Sequence, residues 1–165
     1  MKTIIGIDPG LNGAAAALGG VNGKWAVLDC LDLPTRPDGS KREIDISAVR
    51  AWLLRFRVHG TVIENVQAMP GGAERRTMGA ASAFRFGMAC GQLRGAMEAW
   101  GIPIHLIHPT VWKRHFDLSG KNKDADVMVA KRRLLGSDPF LTLKKHHQRA
   151  DAMLIGLAAI ERENW

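Results

Sequence analysis

Residues 3–13 read TIIGIDPGLNG, an apolar run that ends at the carboxylate of Asp8 and then breaks into proline and glycine. The run predicts a buried β-strand, and an acid at the end of such a strand is costly unless something pairs with it. Gly10 and Gly13 let backbone or a phosphate approach the turn closely. Taken alone, Asp-Pro-Gly is also an ordinary turn sequence in which Asp8 only caps the turn.

A second strand repeats this arrangement. Residues 61–64 read TVIE, so another β-branched run ends in an acid, Glu64. Sites in open α/β sheets form outside the carboxyl ends of the strands, and we therefore expect Asp8 and Glu64 to share one site. Two acids repel each other unless a cation lies between them, and oxygen ligands of this kind favour Mg²⁺ or Mn²⁺.

A third segment that could contribute side chains to this site is residues 146–156, which read HHQRADAMLIG. Residues four apart lie on one face of a helix, so His147 and Asp151 can point the same way. The sequence thus predicts three carboxylates and an imidazole at the site.

Length and charge set the class of protein. The chain has 165 residues, which suits one domain over 1–165, and a formal net charge of +7. The segment 111–149 holds ten Lys or Arg and four Asp, a net charge of +6. A basic segment beside a carboxylate site favours a polyanionic partner, most commonly nucleic acid. A basic surface without any partner would have the same composition.

Other classes are disfavoured by the sequence. Cys30 and Cys90 lack metal-ligand spacing and cannot form a disulfide framework, which favours a reducing compartment. The first residues carry no signal-peptide pattern, so we expect a cytoplasmic protein. The longest small-apolar stretch, 79–100, contains arginines and a glutamate, which argues against a membrane span.

The pattern of apolar residues predicts one α/β domain without internal repeats. We expect strands over 3–8, 14–18, 25–31, 61–64 and 102–107, and helices over 46–58, 77–100, 124–135 and 147–163. A short helix should follow His108, and 33–45 and 67–76 should be loops. The small residues of 77–100 allow close packing, either against the sheet or against a second subunit.

Four segments together resemble the RuvC-type Holliday junction resolvases, in particular compact phage-type members. They are IGIDPG (5–10), VIE (62–64), TVWK (110–113) and RADA (149–152), in family order over nearly the whole chain. The resemblance implies a ribonuclease H-like fold, a central mixed five-stranded sheet flanked by helices. It also implies a homodimer that nicks two opposing strands of four-way or other branched DNA, in DNA recombination and repair. The compartment would be a bacterial or phage-infected bacterial cell.

The resemblance also assigns residues. Asp8, Glu64 and Asp151 would be metal-binding carboxylates, and Lys113 would contact DNA. The family has a fourth ligand about one turn before the last acid, usually Asp and in some members His. We assign His147, with His146 and Gln148 as alternatives. Two Mg²⁺ per site, replaceable by Mn²⁺, would activate water and stabilise the leaving oxygen.

Further basic residues are candidates for phosphate contacts that position DNA without reading its bases. They are Lys121, Lys123, Arg75 and Arg76. Each is equally compatible with a solvated surface position. Relatives can place an aromatic wedge after the second acid, but residues 65–69 read NVQAM here.

Two other functions remain compatible with the sequence. A monomeric ribonuclease H-like nuclease acting on an RNA–DNA hybrid or RNA would share the acids without needing a dimer. A catalytically decayed junction-binding protein is favoured only by the missing fourth acid. Sugar kinases and actin-like ATPases also use Asp-x-Gly after a strand, but they need two such domains, more than 165 residues supply.

Overall fold

The computed structural model describes residues 1–21, 23–66, 79–120 and 123–163. The strands are β1 (Thr3–Asp8), β2 (Ala14–Val21), β3 (Lys24–Asp32), β4 (Thr35–Asp38), β5 (Lys41–Ile44), β6 (Val58–Glu64) and β7 (Ile104–Ile107). The helices are α1 (Ile46–Leu53), α2 (Ala80–Ala99), α3 (Pro109–His115), α4 (Lys123–Arg133) and α5 (His147–Glu163). Two short 3-10 turns, Asp138–Phe140 and Lys144–His146, precede α5.

Five strands form one mixed sheet in the spatial order β3-β2-β1-β6-β7. β1 pairs antiparallel with β2, and β2 pairs antiparallel with β3. β1 pairs parallel with β6, and β6 pairs parallel with β7. This confirms the predicted mixed five-stranded sheet and places β1 at its centre.

Both faces of the sheet are covered by helices, because the central strand is apolar on both sides. Ile4 and Val62 belong to the buried cluster formed with α3, α4 and α5. Ile5, Ile7 and Ile63 belong to the cluster formed with α1 and α2. Side chains alternate between the two faces along a strand, so each strand contributes to both clusters.

Helix α5 lies directly on β1 where both elements have glycine. A Cβ atom on Gly6 would overlap the carbonyl oxygen of Ala152 and lie 2.7 Å from the backbone nitrogen of Gly156. Only residues without side chains allow two backbones to come this close. The contact fixes the residue before Ala152, which is Asp151, near the end of the central strand.

The structure corrects two predicted elements. The segment 33–45, predicted as a loop, contains the antiparallel hairpin β4–β5, with Gly39 at φ +58° in its turn. The hairpin is polar and lacks alternating apolar residues, so its sequence carries no strand pattern. The helix predicted over 46–58 ends at Leu53, because Val58 already belongs to β6 and pairs with Thr3.

The remaining elements follow the sequence closely, and β1 and α5 have the predicted bounds. The inner face of α5 is buried: Leu154, Leu157, Ala158 and Ile160. Trp52 and Trp112 are buried, and Trp100 is partly buried against the core. None of the described helices is long and apolar enough to span a lipid bilayer.

The glycine contact between β1 and α5 predicts that a single methyl group added at Gly6 destabilises the fold strongly. Gly6→Ala should lower the free energy of unfolding by about 1–3 kcal/mol or more, because neither backbone can move aside. Gly20→Ala in β2 is the control, since a Cβ there meets only ring atoms of Trp25 at 3.9 Å, an ordinary contact. The control should gain up to about 1 kcal/mol, because alanine loses less backbone entropy than glycine on folding. Urea unfolding measures both, and equal stabilities would contradict the contact.

Candidate metal and nucleic-acid site

Asp8 and Glu64 end neighbouring parallel strands at the same edge of the sheet. Ile7 pairs with Ile63 across the ladder, so the two acids are the next residues in register. Alternation places Asp8 on the same face as Ile4, and Glu64 on the same face as Val62. Both acids therefore lie on the α5 side of the sheet, at its carboxyl edge.

Asp151 is brought to this edge by α5. Burial raises the pKa of Asp151 to about 8, reinforced by a hydrogen bond to Asp126 and by the negative charges of Asp126 and Asp8. The protonated form of Asp151 donates this hydrogen bond. Its Oδ1 atom is buried with no hydrogen-bond partner in the described structure. The positive charge of Lys113 lowers the pKa of Asp151 but does not offset this rise.

Glu64 is held from the core side. The indole Nε1–H of Trp112 donates a hydrogen bond of 2.8 Å to Glu64 Oε1. Burial raises the pKa of Glu64, while this hydrogen bond and the positive charges of Lys113 and His108 oppose the shift. The carboxylate therefore has a fixed partner on one oxygen and cationic neighbours around it.

Asp8, Glu64 and Asp151 share charged and titratable neighbours. Burial raises the pKa of the Cys90 thiol, and the charges of Asp8 and Glu64 raise it further. Asp8 also acts on Asp151, and Lys113 lowers the pKa of both Glu64 and Asp151. Electrostatic effects of this kind fall off with distance, so these groups lie around a common centre.

Lys113, the predicted DNA contact on α3, is close enough to Glu64 and Asp151 to act on both carboxyl groups. It is half-buried, and its Nζ atom lies 5.1 Å from the centroid of the Trp112 ring. His108 caps the N-terminus of α3, because its Nδ1 accepts a hydrogen bond from the Thr110 backbone N–H. The cap fixes the start of the helix that carries Trp112 and Lys113.

The three candidates for a fourth ligand differ in their surroundings. His147 is the first residue of α5, half-buried and one turn before Asp151. His146 is buried, and its Nδ1 accepts a hydrogen bond of 3.3 Å from the Leu143 N–H. Gln148 is half-buried beside Asp32 in a surface pocket. His147, one turn before Asp151, stays the predicted ligand.

The other predicted DNA contacts are not placed by the structure. Arg75, Arg76 and Lys121 lie outside the described residues. Lys123 is the first residue of α4, and its side chain lies outside the description as well. All four stay predictions.

Asp126 is a site residue that the sequence reasoning missed. It is 8% exposed and contacts Asp151 from α4. In the sequence it counts only as one of the acids of a basic segment. The four-residue spacing of Asp126, Ala130 and Leu134 places them on one helix face, and this spacing is visible in the sequence. All three residues are buried in the structure.

Arg149 is basic, but its guanidinium binds other groups of the protein. Its guanidinium donates two hydrogen bonds of 2.6 Å to the carboxylate of Asp32 and one to the Phe140 carbonyl. These bonds hold the pKa of Asp32 below its usual range. Arg149 thereby fastens the first turn of α5 to the end of β3.

The donor set fits a hard divalent cation. In 1–21, 23–66, 79–120 and 123–163, no group of three or more His, Cys, Asp or Glu side chains is arranged as a metal site. Asp8, Glu64 and Asp151 nevertheless supply carboxylate oxygens only, the ligands preferred by Mg²⁺ and Mn²⁺. The buried, partnerless Oδ1 of Asp151 is an oxygen that such an ion would satisfy.

No protein-family model matches the chain, and comparison with curated proteins finds no match. Solved structures do match. RuvC from Thermus thermophilus aligns with 98% of this chain and 96% of its own, with a TM-score of 0.65 and 21% identity. T. thermophilus RuvC in complex with a Holliday junction substrate aligns with 99% of this chain and 96% of its own, with a TM-score of 0.68 and 19% identity. The chain therefore has the ribonuclease H-like fold of RuvC, as the sequence predicts.

Proposed function

We propose that this chain is a structure-selective endonuclease that resolves four-way and other branched DNA. It would hydrolyse phosphodiester bonds with a metal ion and nick two opposing strands as a homodimer. One observation carries the proposal: Asp8, Glu64 and Asp151 meet at one sheet edge of a fold shared with RuvC, which has been solved with a Holliday junction. A single nuclease domain over 1–165 and a role in recombination and repair in the bacterial cytoplasm belong to the same proposal.

The proposed cofactor is Mg²⁺, two ions per site, with Mn²⁺ as a substitute. Asp8, Glu64 and Asp151 would hold the ions, with His147 as a further ligand or as a general acid or base. When bound, the ions supply an activated water and stabilise the leaving oxygen. Asp8 would be the residue to serve both ions, because it ends the central strand, next to Glu64 in register, and its charge acts on Asp151.

Basic residues around this centre would bind the DNA backbone. Lys113 lies beside the carboxylates and can draw a phosphate towards them. Lys121, Lys123, Arg75 and Arg76 would extend this contact along the strands. The net charge of +6 over 111–149 supports the assignment, since phosphate contacts supply most of the affinity of such proteins for DNA.

The exposed face of α2 supports the homodimer. Only Ala89, Leu93 and Met97 of its 20 residues are buried, while Phe84 is 69% exposed and Met88 is 42% exposed. Gly87, Gly91 and Gly95 share one helix face with open space around it, which permits close approach of a second helix. A two-fold dimer would present two sites symmetrically to paired strands.

The first prediction concerns the substrate. The purified chain should nick a labelled four-way junction in opposing strands with Mg²⁺ or Mn²⁺, and leave a linear duplex and an RNA–DNA hybrid intact. Asp8→Asn should abolish cleavage and keep junction binding, because it removes one charge without changing the shape of the site. Product mapping on denaturing gels and band-shift assays measure the two properties.

Other outcomes would select the other candidate functions. Cleavage of the hybrid rather than the junction would favour a ribonuclease. Tight junction binding without cleavage under either metal would favour a decayed site. Cleavage by Asp8→Asn at the wild-type rate would remove Asp8 from the site.

The raised pKa of Asp151 predicts a pH dependence of stability. The folded protein binds this proton more tightly than the unfolded chain, so the stabilisation is complete below about pH 4 and is lost as the pH rises towards 8. Asp151→Asn should therefore become more stable relative to wild type across this range. Mg²⁺ at pH 8 should stabilise wild type more than the variant.

Chemical unfolding at several pH values, with and without Mg²⁺, measures this effect. Asp38→Asn is the matched control, because Asp38 is exposed at the end of β4. The stability difference between Asp38→Asn and wild type should stay constant with pH. If the difference between Asp151→Asn and wild type is equally constant from pH 4 to 8, Asp151 carries no such proton.

The dimer proposal predicts a surface effect. Phe84→Glu should weaken self-association at least about tenfold, since it puts a charge in an apolar contact. Leu54→Glu is the control, because Leu54 is 73% exposed at the end of α1. Sedimentation equilibrium measures both dissociation constants. A monomeric wild type, or equal effects of the two variants, would contradict an interface on α2.

A further inference from the structure

Trp112 is buried directly behind Glu64. Its side chain is 1% exposed and belongs to the core cluster on the α5 side of the sheet, together with Val62 and Ile107. The one polar atom of the side chain is the indole nitrogen, and its Nε1–H donates a hydrogen bond of 2.8 Å to Glu64 Oε1. The indole thus links the rigid core to a side chain of the candidate site.

This bond restricts the carboxylate. A glutamate at a strand end can take several rotamers, and a charge-assisted hydrogen bond from a buried donor selects among them. The Trp112 ring cannot follow a moving carboxylate, because close packing fixes it in place. With Oε1 held on the core side, the remaining lone pairs of Glu64 are directed away from Trp112.

Lys113 is a second neighbour of the Glu64 carboxylate. Its Nζ atom lies over the Trp112 ring, and its charge reaches both Glu64 and Asp151. Trp112 and Lys113, which are consecutive residues of α3, therefore act on the Glu64 carboxylate in different ways. Trp112 holds it by a directional bond, and Lys113 acts by charge.

We propose that Trp112 is a positioning residue that orients Glu64 for binding a divalent cation. The inference rests on the proposed function, because it assigns a partner to one of the proposed metal ligands. Hydrogen bonds to metal-ligating side chains fix ligand orientation, and their loss commonly weakens metal affinity about 10–100-fold.

The chain contains a matched control for Trp112. Trp52 is also buried, at 6% exposed, and its Nε1–H donates to Asp29 Oδ2 at 2.9 Å. Trp52 belongs to the other core cluster, and Asp29 lies on β3, two strands away from β1 in the sheet. Replacing either tryptophan by phenylalanine removes the same donor and a similar apolar volume.

Mn²⁺ binding to the full-length chain, measured by isothermal titration calorimetry, tests the proposal. Trp112→Phe should bind Mn²⁺ about 10–100-fold more weakly than wild type. Trp52→Phe should stay within about twofold, even if both variants lose comparable stability in urea unfolding. Equal Mn²⁺ affinities of the two variants would reduce Trp112 to a packing residue and overturn the proposal.

A spectroscopic measurement keeps the test valid if Trp112→Phe fails to fold. The indole N–H of Trp112 gives its own signal in a ¹H–¹⁵N spectrum, assigned by variants of the other four tryptophans, Trp25, Trp52, Trp100 and Trp165. Saturating Mg²⁺ should shift this signal in wild type and leave it in place in Glu64→Gln, which keeps the acceptor oxygen but loses the charge. An unmoved wild-type signal while calorimetry reports Mn²⁺ binding would contradict the proposal.

The failure of this inference differs from the failure of the proposed function. If wild type binds Mn²⁺ and nicks the junction, but Trp112→Phe matches Trp52→Phe, only the positioning role is lost. If wild type neither binds Mn²⁺ nor nicks the junction, the nuclease function is lost and the positioning role with it.

Discussion

The backbone contact between Gly6 of β1 and Gly156 of α5 determines where the acids of this protein lie. Two backbones approach each other without side chains between them, so α5 can take only one height and rotation over the central strand. Asp151 then lies beside Asp8, and the parallel pairing of β1 with β6 adds Glu64 at the same edge. The position of the site follows from packing in the core, not from flexible loops.

This geometry concentrates negative charge where water is scarce. Asp8 and Asp126 both act on Asp151, and a proton on Asp151 relieves part of the repulsion. A divalent cation would do the same with two charges. The basic surroundings, with Lys113 nearest, oppose the acids without neutralising them. A site of this kind favours a cation and a phosphate together, which is the combination that phosphodiester hydrolysis requires.

Sequence reasoning succeeded where residue type and secondary structure agreed. Asp8 and Glu64 each end an apolar run, so their shared edge followed from the rule for open α/β sheets. It failed on Asp126, because its burial depends on how α4 packs against α5. It also missed the Trp112–Glu64 bond, which joins residues 48 positions apart in the chain. The hairpin β4–β5 was not predicted, because its polar strands have no alternation of apolar and polar residues.

The central claim is that Asp8, Glu64 and Asp151 together bind divalent cations. Crystals of the chain grown with Mn²⁺ would test it directly, since the anomalous scattering of manganese locates the ion without reference to any assumed site. We expect anomalous peaks bounded by oxygens of these three carboxylates. Manganese bound only elsewhere on the chain, or absent from this edge at saturating concentration, would contradict the claim.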